Sequence, residues 1–277
     1  MAVIAHAGKT FGGGLEELRD VLAKAGFRKP IWCEVPKSSA APKAVRRIVK
    51  KGATLLFVWG GDGMVQRCID ALAGSGVNLA IVPAGTANLL ASNLGIPRDI
   101  AKAVRIGLRG KAQAMDVGVM NGERFAVMAG TGFDALVMRE VSGAQKESMG
   151  RVAYIRSAAH AMQAKRVGMK IRVDGTTWFE GKASTLLLGN VGQVFGGLNV
   201  FPKASPTDGL LEVGVVTANS TFQWLRVFSR VAIGHLDRSP FIQTTRGKKV
   251  IVELDRKAPY ELDGGARSPT KRIKVRI

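Results

Sequence analysis

Residues 54–72 constrain what this chain can fold into more than any other stretch: Thr-Leu-Leu-Phe-Val-Trp-Gly-Gly-Asp-Gly-Met-Val-Gln-Arg-Cys-Ile-Asp-Ala-Leu. An apolar, β-rich run ends at Trp59, glycines at 60, 61 and 63 surround Asp62, and apolar residues then recur at Met64, Val65, Cys68, Ile69 and Leu72. That change of period predicts strand, tight loop, helix. Gly60, Gly61 and Gly63 permit positive φ and close approach of a ligand to the backbone. The amides opening the helix near Met64 point into the same space, which suits a phosphate. Asp62 would repel a phosphate oxygen directly, so its carboxylate implies a magnesium ion or a nucleotide hydroxyl as intermediary. The plainer alternative is a turn whose aspartate caps the helix.

Asn78 to Val82 reads as a further strand. The segment Pro83-Ala-Gly-Thr-Ala-Asn-Leu-Leu-Ala-Ser-Asn-Leu-Gly-Ile-Pro97 then puts Gly85 and Thr86 at its carboxyl end, where ligands bind in open α/β sheets. Gly60-Gly61-Asp62-Gly63 followed by Pro83-x-Gly85-Thr86-x-Asn88 resembles the catalytic domain of the diacylglycerol kinase family, which includes bacterial lipid kinases and sphingosine and ceramide kinases. The tetrapeptide alone is shared with NAD kinases and phosphofructokinases; the second segment separates the families. The likeness runs over nearly the whole chain.

Length and charge narrow the reading further. At 277 residues and 46% hydrophobic content the chain can bury one large core or two medium ones. Cys33 and Cys68 have no metal or redox spacing, so a reducing, cytoplasmic setting is expected. The N-terminus is too poor in apolar residues for a signal peptide, and no run reaches the roughly 18 uncharged residues of a membrane-spanning helix. A net charge of +20 calls for an anionic partner: ATP, lipid headgroups or nucleic acid. No RNA- or DNA-binding motif accompanies the charge, so nucleic acid is not expected.

Along the chain, Ala2 to Ala5 and Ile31 to Val35 read as strands. Leu15 to Ala25, Ala41 to Lys51 and Ile100 to Leu108 read as helices, and His6 to Gly14 is a glycine-rich turn. The alternation predicts a doubly wound, mostly parallel α/β domain over 1–115. Strand-like runs then follow at 113–119, 123–129, 168–173, 176–180, 182–188, 211–216, 241–245 and 248–254. Hairpin signals at Asn121-Gly122 and Asp174-Gly175 predict an antiparallel domain over 116–277, with helices near 150–163 and 221–233.

The resemblance implies more than the residues do. It makes the second domain a β-sandwich, with about 258–277 packing back on the first domain. It implies an ATP-dependent lipid kinase that transfers the γ-phosphate to a hydroxyl of diacylglycerol or a sphingoid base. ATP, with Mg2+ on its phosphates, is held by Gly60, Gly61, Asp62, Gly63, Met64, Val65 and Gln66 together with Gly85, Thr86 and Asn88. Gly8 and Lys9 match part of an Asn-Pro-x-Ser/Ala-Gly motif that approaches the nucleotide. Ser38 or Ser39 stands near a nucleotide-touching threonine of relatives, a helix cap being the alternative.

Two later segments carry the rest. Asp208, in the Pro-x-Asp-Gly-x-Leu segment, implies a structural magnesium site with oxygens from Ser205 and Leu210; by itself the segment reads as a turn. Tyr260-Glu-Leu-Asp263-Gly-Gly265 stands where the family has Asp-Gly-Glu, whose glutamate serves as the base. With Gly265 there, Asp263 and Asp62 are the candidate catalytic carboxylates. Met64 replaces a family threonine, which implies weaker nucleotide affinity.

The resemblance also implies a lipid partner at the inner face of a membrane, met by peripheral association. The basic residues between Arg139 and Arg166 form a candidate lipid-facing surface, a solvated helix face being the alternative. Met128, Met138, Met149, Met162 and Met169 are candidate acyl-chain lining, with core filling as the alternative. Competing readings are a kinase of a soluble substrate, similar to NAD kinases, and a non-catalytic nucleotide or lipid sensor. The identity of the lipid and the oligomeric state, homodimer or other, are not legible in the sequence.

Overall fold

The computed structural model describes residues 1–132, 166–194, 198–232 and 239–277, so the expected helix near 150–163 and nearly all of the basic stretch lie outside the described residues. The chain divides into two units, Met1–Ala114 and Met115–Ile277.

In the first unit, β1 (Ala2–His6), β2 (Ile31–Val35), β3 (Leu55–Gly60) and β4 (Asn78–Pro83) form a parallel sheet in the order β2-β1-β3-β4. The central strands β1 and β3 are almost wholly apolar because both faces are covered, whereas edge strand β2 carries exposed Glu34. On one face Val3, Ala5, Phe57, Trp59, Ala80 and Val82 pack with Leu18 and Leu22 of α1 (Gly14–Lys24) and with Ile100, Ala103 and Val104 of α5 (Ile100–Arg109). The helices α2 (Ala41–Lys50) and α3 (Asp62–Leu72) pack together and bury Val45, Ile48, Val65 and Cys68. A short α4 (Leu89–Asn93) follows β4. The strand order reverses between β1 and β3, and the loops leaving β1, β3 and β4 open at the carboxyl edge, where such sheets bind ligands. Ser38 and Ser39 lie in a 3-10 turn, Ser38–Ala40, and neither makes the expected cap; Pro42 opens α2 instead.

The second unit is antiparallel. Its strands are β5 (Gly118–Met120), β6 (Glu123–Phe125), β7 (Met128–Gly132), β8 (Val167–Val173), β9 (Thr176–Ala183), β10 (Thr185–Gly189), β11 (Gln193–Val194), β12 (Leu198–Asn199), β13 (Leu211–Val216), β14 (Ile242–Gly247), β15 (Lys249–Leu262) and β16 (Gly265–Arg276), with helix α6 (Thr221–Ala232). The main path runs β14-β13-β10-β7-β15-β16-β5-β6, and β8 and β9 branch from β15. The first half of β15 pairs with β8 and the second half with β7, and register shifts between Glu253 and Tyr260 bend it between the two. Ile171, Leu186, Leu188, Val213, Val252 and Ile273 lie in one core.

Residues 258–277, expected to pack back on the first domain, lie in β15 and β16, whose ladder runs from Lys249↔Arg276 to Leu262↔Gly265. β16 escapes a hydropathy reading because Arg272, Lys274 and Arg276, alternating with buried Ile273 and Val275, crowd its exposed side. Met128 and Met169 are buried core residues; Met138, Met149 and Met162 lie outside the described residues.

Candidate active site

The loops after β3 and β4 meet backbone to backbone. The Ala84 N–H donates to Gly60 O (3.0 Å), continuing the β3–β4 pairing beyond the strands. A Cβ on Gly85 would fall on Gly61 Cα, and one on Gly61 would lie 3.1 Å from Gly85 Cα. None of Gly60, Gly61, Gly63 or Gly85 has positive φ. The positive φ these glycines permit is not used; Gly61 and Gly85 are small because the two loops need the space.

Helix α3 begins directly at Asp62. Met64 and Val65 both donate to Gly61 O, at 2.9 and 3.1 Å, so those two amides are already committed. Met64 is only 2% exposed and packs on Gly60, and the Val65 and Gln66 side chains are buried as well. Of the stretch 60–66, the backbone of Gly61 to Gly63 is the part left for a ligand.

Asp62 does not cap its own helix. Its Oδ1 accepts the Leu90 N–H (3.3 Å) from the first turn of α4, across the second loop. Burial pushes the Asp62 carboxyl above its ordinary range, and the amides of Leu90, Leu89, Asp62 itself and Asn88 only partly oppose that. Asn88 sits at φ 49° in the left-handed region; its Oδ1 accepts Gly85 N–H (2.8 Å) and its Nδ2 donates to Gly85 O (2.9 Å). The side chain thus locks the loop while Thr86 and Ala87 stay exposed at its tip.

A cavity of about 390 Å³ opens beside this loop, with Thr86, Asn88, Ser92, Ile96 and Arg98 in its walls. The Arg98 guanidinium lies 4.7 Å over the Phe11 ring, so the glycine-rich loop after β1 places a cation there. Arg98 and Ser92 were not anticipated, although Arg98 is the one charged residue in 83–98. The same first loop is fixed to β3, because Trp59 Nε1–H donates to Lys9 O (3.1 Å). Gly8 N–H donates to His6 Nδ1 (3.2 Å), and burial and the nearby Lys9 charge hold that imidazole below its usual pKa. The structure therefore gathers Gly8, Lys9, the Gly61 loop and the Gly85 loop at one end of one sheet.

In the second unit Asp263 is tied to the backbone. It is 5% exposed, its Oδ2 accepts Ala126 N–H (2.7 Å), and its Oδ1 accepts Val127 N–H and Met128 N–H (both 2.9 Å). These three buried amides grip the carboxylate and hold the turn. At Gly265 a Cβ would lie 2.8 Å from Arg267 Nη1. Arg267 is clamped by Glu123 at 2.7–3.0 Å and donates to Gly265 O (2.9 Å). Its guanidinium fills the space a side chain at 265 would need.

Ser205, Asp208 and Leu210 share one turn. Asp208 Oδ1 accepts Leu210 N–H (3.0 Å), and Asp116 Oδ2 accepts Gly209 N–H (2.7 Å) to brace the turn. Asp208 is exposed, and together with burial its charge helps raise the nearby Glu212 carboxyl, against the opposing Arg246 and Lys203. One exposed carboxylate, with the Ser205 hydroxyl in the same turn, offers the hard oxygen ligands a hydrated magnesium ion takes. Among the described residues no three His, Cys, Asp or Glu gather as a zinc-type cluster would require.

A parallel α/β unit with two abutting glycine loops at its carboxyl edge, joined in one chain to an antiparallel β unit, is the architecture of kinases of the diacylglycerol kinase and NAD kinase type. Two family models decide between these. Residues 2–120 match the diacylglycerol kinase catalytic domain, and residues 127–275 match the YegS C-terminal NAD kinase beta sandwich-like domain. The chain belongs to the diacylglycerol kinase family.

A diacylglycerol kinase of Mycobacterium tuberculosis (strain CDC 1551 / Oshkosh) is 32% identical over 212 residues, 74% of this chain and 68% of that one. One from Bacillus subtilis (strain 168) is 28% identical, over 81% and 75%. The crystal structure of a diacylglycerol kinase from Bacillus anthracis str. Sterne has the same fold, with TM-score 0.79 and 23% identity over 99% of this chain and 93% of that one. An NAD kinase from Archaeoglobus fulgidus is more distant, at TM-score 0.54 and 13% identity over 99% and 88%. Among the described residues no helix is long and apolar enough to cross a membrane.

Proposed function

We propose that the protein is an ATP-dependent lipid kinase that moves the γ-phosphoryl group of ATP to a hydroxyl of a lipid such as diacylglycerol or a sphingoid base. The observation that carries this reading is the backbone contact of Gly61 with Gly85, with Asp62 tied across it to Leu90. The backbone of Gly61 to Gly63, exposed Thr86 and the Arg98 guanidinium provide the donors and the cation a triphosphate needs.

In the reaction the lipid oxygen bonds to the γ-phosphorus, the bond to the β–γ bridging oxygen breaks, and ADP leaves. Asp62 receives the hydroxyl proton. It is favoured over Asp263 because it is only partly buried and its proton affinity is raised, whereas the Asp263 oxygens are held by amides. ATP enters as its magnesium complex, whose metal neutralises the phosphate charge. Asp208, with Ser205 and Leu210, would hold a second, structural magnesium ion, which would brace that turn. Positioning supplies most of the rate in phosphoryl transfer, so loss of the family glutamate at 265 is compatible with turnover. A lipid substrate and the +20 charge support a reading in which the protein works at the inner face of a membrane.

The test is incubation with labelled ATP, magnesium and a total lipid extract, followed by identification of the labelled species. One lipid class should be labelled, and Asp62→Asn should lower the rate about 100-fold or more. Nucleotide binding with no lipid labelled would turn the reading to a sensor; labelling of NAD instead would turn it to a soluble-substrate kinase.

A further inference from the structure

Helix α6 reads Thr-Phe-Gln-Trp-Leu-Arg-Val-Phe-Ser-Arg-Val-Ala over 221–232. Its inner side is fastened by buried Trp224 and Val227. Its start is fixed by side chains: Ser220 Oγ accepts Gln223 N–H (3.4 Å) and Gln223 Oε1 accepts Asn219 N–H (2.8 Å). On its outer side Phe222 is 73% and Leu225 65% exposed, the most exposed large apolar side chains among the described residues. They are three positions apart and therefore adjacent on the helix surface. Arg226 lies one turn beyond Phe222, and Arg230 one turn beyond Arg226. The chain carries no Asp or Glu between Glu212 and Asp237.

We infer that this face of α6 is the surface by which the protein docks on an anionic lipid bilayer, Phe222 and Leu225 entering the acyl boundary while Arg226 and Arg230 meet the phosphate headgroups. A helix fastened on its inner side, with two apolar side chains in water and Arg226 and Arg230 on neighbouring turns, matches an interface that is apolar inside and negative outside. A second copy of the chain is the rival occupant of an apolar patch. Each copy carries +20, so charge repels another copy and attracts an anionic membrane. The inference deepens the lipid-kinase reading and rests on it for its purpose, since a lipid kinase must reach a substrate that stays in the bilayer.

The experiment is co-sedimentation of the full chain with vesicles of phosphatidylcholine alone and of phosphatidylcholine mixed with phosphatidylglycerol. The wild type should bind the anionic vesicles and scarcely the neutral ones. Phe222→Ser with Leu225→Ser should weaken anionic binding by about tenfold or more. Arg226→Gln with Arg230→Gln should weaken it similarly and flatten its salt dependence. All these residues lie on the helix's outer or flanking positions, so both variants should melt as the wild type does. Both should phosphorylate a short-chain, fully dissolved diacylglycerol at the wild-type rate.

Vesicle binding unchanged in both variants, or equal binding to neutral vesicles, overturns the inference. So does a loss of self-association in the ultracentrifuge with vesicle binding intact. Should the dissolved diacylglycerol be phosphorylated while vesicles are ignored, the docking surface falls and the kinase stands. Should anionic vesicles be bound through these residues while no lipid is phosphorylated, the kinase falls and the docking surface stands.

Discussion

The Asp62 carboxylate accepts the Leu90 amide at 3.3 Å, so the loop after β3 is tied to the first turn of the helix that follows β4. One side chain thereby couples the two glycine loops and holds a partly buried negative charge at their junction.

That charge gives a pH signature. Burial raises the folded-state pKa of Asp62 above its unfolded value, so the folded state binds the proton more readily. Stability therefore falls as pH rises from the ordinary carboxylate range through the raised pKa, and stays lower above it. Asp62→Asn keeps an oxygen for Leu90 and removes the charge. Thermal denaturation from acid to neutral pH should show a higher Tm for this variant at pH 7 and a flatter profile, with activity lost. A profile parallel to the wild type would show that the charge carries no such cost.

The glycines should separate by what surrounds them. At Gly85 a methyl group meets the Gly61 backbone, which cannot swing aside, so Gly85→Ala should cost about 1–3 kcal/mol by urea denaturation. A methyl group on Gly63 meets nothing within 4 Å. Gly63→Ala should leave stability unchanged or slightly higher while weakening ATP binding in calorimetry, because the space it fills is the ligand's.

Removing Asp263 should act on folding. Asp263→Ala strands the buried amides of Ala126, Val127 and Met128, a loss of about 3 kcal/mol or more in urea denaturation. ATP affinity of the folded fraction should be unchanged. A large fall in kcat with no fall in stability would restore Asp263 as the base.

Thiol chemistry offers an independent check on packing. Burial pushes the Cys68 thiol up to about 12, and Cys33 is buried too. Iodoacetamide at pH 8 should leave Cys68 unmodified in the native protein and alkylate both cysteines after denaturation, as mass spectrometry would read.

Much of this was legible in the chain itself. The switch from apolar run to glycines to helical period at 55–72 is local, and so are the turns at Asn121-Gly122 and Asp174-Gly175, whose residues take the positive φ that a tight hairpin demands. β16 was not legible, because hydropathy cannot register a strand whose outer face is basic and whose order comes from pairing with β15.

The sequence by itself determined the alternation of elements, the positions of both glycine loops and the family. Tertiary structure alone decided what the polar side chains do. The partner of Asp62 is 28 residues away, those of Asp263 more than 130, and Arg98 finds the Phe11 ring only because β1 and α5 belong to one packed unit. A strand or a turn follows from the torsions its own residues prefer. A carboxylate's role depends on which distant amides reach it and how much water the fold removes, and neither is a property of its neighbours in the chain.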